Sequence, residues 1–148
     1  MHLSPAKAAK IYGIETKLVE SWIWSGHVPV SRTATRRRLV GLRGQLAIAV
    51  IETLRRSGAS MSTAKGLLGH LFGVTDAELE SQLREGKCVL WWQPGRVSQL
   101  ATPQVAADKL NAEHRWVVMA NLLAYKECLS DRIAIVDSIS AGGAQHGQ

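Results

Sequence analysis

Lys17, Glu20, Ser21 and Trp24 follow one another at i, i+3, i+4 and i+7, the spacing of one helical face. The residues between them, Val19, Trp22 and Ile23, form the opposite, apolar face, with Leu18 paired to Trp22 at i, i+4. An ammonium, a carboxylate, a hydroxyl and an indole on one face offer charge, hydrogen bonds and a flat apolar surface to a partner. A second group follows closely. Arg32, Arg36, Arg37, Arg38 and Arg43 lie in one stretch that holds no acid, whereas Asp76 to Glu85 holds four acids and one arginine. Guanidinium groups suit phosphate oxygens, and the formal charge of +6 is segregated toward the N-terminal half. Together these features point to a polyanionic partner.

Other chemistry has little in its favour. His27, His70, His114 and His146 are scattered, and no pair has helical metal-ligand spacing. The chain contains no P-loop, GxGxxG or nucleophile elbow, and Asp131, Arg132 and Asp137 read as a solvated helix face. The expectation is a protein that is not an enzyme and carries no metal and no cofactor. Cys88 and Cys128 stand outside any CxxC and read as buried, reduced thiols. MHLSPAKAAK has no apolar core of a signal peptide, and no run of about 18 apolar residues occurs. A cytoplasmic location away from membranes is expected.

The positioning elements can be read in order. Ser4 and Pro5 start a helix, as N-cap and first helical residue. Gly13 ends it in a tight turn, and Glu15 and Thr16 place an acid and a capping hydroxyl where the next helix starts. That helix runs from about Thr16 to Ser25, stopped by Gly26 and Pro29. The pair reads as a helix-turn-helix. Val28 and Val30 alternate around Pro29, SRTAT is turn-like, and Arg38-Leu39-Val40 return, which predicts a short hairpin or wing. Its arginines are either a solvated loop or phosphate contacts. Leu42–Ser57 and Met61–Phe72 are amphipathic helices, the second weakened by Gly66 and Gly69, whose small size permits close packing. Thr75 and Glu78 form a capping box for a short helix ending at Gly86.

Composition then changes. CVLWWQ (88–93) and Val97 to Thr102 flank a Pro94-Gly95 turn and read as two strands; a helix from Pro103 to about Asn111 and a strand at Arg115 to Met119 follow. Asn121 caps a last helix in which Leu122, Leu129 and Val136 recur every seven residues, as core or as a partner seam. Trp91 and Trp92 point to opposite faces of a strand, so one of them is left for an interface or a pocket. The fold class expected is mainly α with a small β component. Residues 1–73 form a basic winged helix-turn-helix, 74–140 an α+β dimerisation, effector or partner-binding module, and 141–148, AGGAQHGQ, a disordered tail.

The N-terminal half resembles the MerR superfamily of winged-helix DNA-binding proteins, nearest its excisionase-like branch. That branch has a pattern close to L-[ST]-P-x-E-A-A-x-x-x-G-[VI]-S-x-x-T-[LI]-x-x-W-x-x-x-G-x-[ILV]-P and then a wing ending R-R-[YL]. The chain carries LSPAKAAKIYGIETKLVESWIWSGHVP, then RRRL, and LRRSGASM further on. The likeness covers about residues 3–71. Where the family commonly has arginines in the second helix, this chain has Glu20 and Ser21, and Leu18 replaces a common threonine. The long dimerisation helix of classical MerR regulators is missing, because the 76–85 segment is too short.

The resemblance implies a sequence-specific transcriptional regulator of double-stranded DNA. The helix from Thr16 to Ser25 would enter the major groove, with Thr16, Lys17, Glu20, Ser21 and Trp24 toward DNA. Arg36, Arg37 and Arg38 would reach phosphates or the minor groove, and Arg32 and Arg43 would assist. A homodimer is expected, with Trp91, Trp92, Leu122, Leu129 and Val136 as candidate dimer or effector residues and RNA polymerase or another protein as a further partner. Two alternatives remain, an excisionase-like architectural protein of a mobile element and a protein-binding module on a DNA-binding fold.

Overall fold

The computed structural model describes residues 2–113 and 118–146. Ser4 starts the first helix, α1 (Pro5–Tyr12), its Oγ accepting from the Lys7 amide at 3.2 Å. Gly13 ends α1 at φ 66°, and the Ile14 amide reaches back to the Ala9 carbonyl at 3.0 Å. This turn delivers α2 (Thr16–Trp24) across α1, with Ala8, Ala9 and Ile11 facing Val19, Trp22 and Ile23 in the core. Glu15, not Thr16, is the N-cap of α2, and its side chain makes no capping hydrogen bond.

A two-stranded antiparallel hairpin follows: β1 (Ser31–Arg32) pairs with β2 (Arg38–Leu39), Ser31 opposite Leu39 and Arg32 opposite Arg38. Leu3 bridges Val40 through two backbone hydrogen bonds of 2.9 and 2.7 Å, so the N-terminus fastens the hairpin's base. Next, α3 (Leu42–Arg56) runs buried through the middle of the molecule. Gly44 lets it approach the hairpin's base, since a Cβ there would lie 2.5 Å from the Pro29 carbonyl oxygen. Then come α4 (Met61–Phe72), capped by Ser60, and α5 (Asp76–Arg84), which begins with the expected capping box of Thr75 and Glu78.

β3 (Val89–Trp92) is the centre of a three-stranded antiparallel sheet, with β4 (Gln99–Ala101) on one side and β5 (Val118–Asn121) on the other. Leu90, Leu100 and Ala120 are in register and face the helical core, while α6 (Pro103–Glu113) packs on the sheet. Of the strand expected at 115–119, residues 115–117 lie outside the described residues; pairing with β3 spans 118–121, so Val118 and Met119 are in the strand and it runs on to Asn121. The last helix, α7 (Leu122–His146), returns across α1 and α3. It runs through most of the segment read as a disordered tail; residues 147–148 lie outside the described residues.

The fold is therefore mainly helical with a small antiparallel β component. One hydrophobic cluster extends from Leu3 to Leu129. Among the described residues no separate core begins after residue 73: β3 packs on α4, and α7 packs on α1 and α3. Leu122 and Leu129 are buried in that cluster and Val136 packs against it, so the seven-residue recurrence marks core.

Candidate nucleic-acid interface

The outer face of α2 presents Lys17, Ser21 and Trp24 to solvent, with Thr16 and Glu20 half-buried beside them. Trp24 is 78% exposed. The hairpin lies against the end of this face: the Arg38 guanidinium sits over the Trp24 ring, 5.6 Å from its centroid. Ile23, Trp24, Val30, Arg32 and Arg38 line an open cleft between helix and hairpin. Because Arg32 and Arg38 are cross-strand partners, β-pairing places two guanidinium groups at that cleft.

The hairpin loop is bound together through Thr33. Its amide donates to the Arg37 carbonyl at 3.0 Å, its carbonyl accepts from the Arg36 amide at 2.9 Å, and its Oγ1 accepts from the Arg37 amide at 3.1 Å. The closure holds Arg36 at φ 63°, a left-handed conformation that otherwise belongs to glycines among the described residues. A non-glycine residue in that region carries a local conformational cost. Arg36 and Arg37 are exposed. Lys17, Arg32, Arg36, Arg37 and Arg38 have no ion-pair partner among the described residues. Glu20 is the one carboxylate on the outer face of α2 and is likewise unpaired there.

Arg43 does not belong to this surface. Its side chain is 19% exposed, its Nε meets Asp76 Oδ1 at 2.9 Å, and its Nη1 donates to the Val74 carbonyl at 2.8 Å. Asp76 Oδ1 also accepts from the Arg43 amide at 3.0 Å, capping α3 from a distant helix because Gly41, the N-cap, has no side chain. The arginine serves the junction of α3, α4 and α5. Sequence spacing missed this because Arg43 and Asp76 are 33 positions apart.

The five residues expected at a dimer or effector contact pack within the chain itself. Trp92 lies over Gly66, where a Cβ would approach its ring to 2.3 Å, and its Nε1 donates to the Arg96 carbonyl at 3.0 Å. Trp91, on the opposite sheet face, is 3% exposed; Leu122, Leu129 and Val136 pack in or on the core. Asp137 is ion-paired to Lys7 at 2.9 Å, tying α7 to α1. Of the two free thiols Cys88 is buried, as expected, but Cys128 is exposed.

A smaller cavity of about 120 Å³ separates α1, α3 and α7, lined by Tyr12, Glu52, Arg56, Tyr125, Cys128 and Arg132, among others. Tyr12 donates to the Gln45 carbonyl at 3.0 Å, and burial pushes its phenol well above the ordinary range despite the nearby Arg132. Glu52 is buried and held by both Arg55 and Arg56, which neutralise it. Among the described residues, no group of three histidine, cysteine or acidic side chains is placed to hold a metal, and no helix is long and apolar enough to cross a membrane. The chain matches no family model and no curated protein.

Proposed function

We propose that this chain is a sequence-specific DNA-binding transcriptional regulator of the winged helix-turn-helix kind. In this reading α2 enters the major groove and the hairpin is the wing. The observation that carries it is the cationic face formed by Lys17 on α2 and by Arg32, Arg36, Arg37 and Arg38 on the hairpin, five cations without an ion-pair partner among the described residues against the single carboxylate of Glu20, joined by the Trp24–Arg38 contact. Phosphates neutralise such a face and release counterions, which supplies affinity, while Ser21, Glu20 and Trp24 meet base edges. The resemblance of residues 3–71 to the MerR superfamily supports the same reading. Two copies on an inverted repeat complete the proposal, joined by surfaces other than the five buried or packed residues above.

The test is fluorescence anisotropy of the full chain on its own upstream DNA across a salt series, with Arg37→Ala and Lys17→Ala alongside. Binding should fall steeply with salt, and each variant should bind more weakly with a log–log slope reduced by about 0.9. Weak binding that is indifferent to both substitutions refutes the proposal. Light scattering of the complex reads its stoichiometry.

A further inference from the structure

We infer that Trp24 determines sequence specificity by reading the C5-methyl group of a thymine in the major groove; the inference rests on the DNA-binding role proposed for α2. Trp22 and Trp91 are buried, and Trp92 is packed over Gly66 and hydrogen-bonded to Arg96. Trp24 is 78% exposed, at the end of the face that carries Lys17 and Ser21. An isolated exposed indole on an ordinary surface would need no explanation. This one is held from one side by the Arg38 guanidinium, which leaves the rest of its surface free and limits its motion.

The chemistry of the groove narrows what that surface can recognise. Base edges there present nitrogen and oxygen donors and acceptors, and the thymine methyl is the distinctive apolar group. An indole has a single N–H donor and no acceptor, so it cannot make the bidentate contacts that identify guanine or adenine. Its complement is the methyl. Arg32 and Arg38, lining the same cleft, are placed to take phosphate oxygens while the ring meets the base.

The experiment uses the full chain and a pool of short duplexes with a randomised centre. Bound duplexes are sequenced, and each thymine of the selected site is then replaced in turn by deoxyuridine, which keeps the base pair and removes only the methyl. Wild type should lose about fourfold in affinity at one thymine per half-site, the worth of one buried methyl-sized group. Trp24→Ala, which removes no core side chain, should bind more weakly and be indifferent to deoxyuridine at that position. Wild type indifferent to every replacement overturns the inference and leaves DNA binding standing. So does Trp24→Ala with undiminished sensitivity at the same thymine. If wild type enriches no duplex at all, the DNA-binding reading falls and this inference with it.

Discussion

Replacing Gly66 with alanine sets two physical effects of opposite sign against each other. Gly66 lies within α4, where alanine is the better helix former by about 1 kcal/mol. Yet a Cβ there would stand 2.3 Å from Cε2 and Cζ2 of Trp92 and 2.8 Å from Cδ2, against 3.4–4 Å for ordinary contact. The half-buried ring must retreat by about 1 Å from α4. It has little freedom to do so, because Trp92 belongs to the central strand of its sheet and its Nε1 is bonded to Arg96. Overpacking costs about 1–3 kcal/mol, and overlap with three atoms of a rigid ring puts this site at the upper end. The net expectation is a loss of about 2 kcal/mol, which lowers Tm by roughly 4–8 °C in a chain of this size. Thermal melts by circular dichroism measure it, and urea titrations should show a lower midpoint with an unchanged m. In a Trp92→Ala background the same substitution should stabilise, by about 1 kcal/mol. A Gly66→Ala protein that melts above wild type refutes the packing argument.

Arg43→Ala should cost about 2–3 kcal/mol, since it removes charge-assisted bonds to Asp76 and Val74, yet leave the salt slope of DNA binding unchanged; Arg37→Ala should do the reverse. Arg36→Gly relieves a left-handed residue and should stabilise by about 1 kcal/mol while weakening DNA binding. Unchanged affinity would remove Arg36 from the interface. Tyr12 stays protonated in the fold at a pH where the unfolded chain ionises, so its stabilising contribution is complete below about pH 10 and is lost as pH rises above that. Melts between about pH 9 and pH 11 should therefore fall more steeply for wild type than for Tyr12→Phe.

Much of the framework was legible in the sequence alone, because it depends on short-range rules. Ser4-Pro5, Gly13 and the Thr75–Glu78 box act within a turn or two of their own positions, and the helices they bound lie within a few residues of those expected. The inner face of α2 and the opposed Trp91 and Trp92 follow from periods of 3.6 and 2. The exposed Lys17, Ser21 and Trp24 and the basic hairpin follow from the same counting.

What the tertiary structure decided are the relations between distant segments. No local rule tells that Arg43 turns away from the hairpin arginines toward Asp76, because that choice depends on where α5 docks. Likewise, Arg38 meets Trp24 only once the hairpin register is set. The seven-residue recurrence of Leu122, Leu129 and Val136 states that α7 has one apolar face; the packing of α7 on α1 and α3 turns that face into core. For the same reason the expected boundary near residue 73 separates no cores: composition changes there, but burial is a property of the whole chain, and β3 and α7 both pack back onto the N-terminal helices.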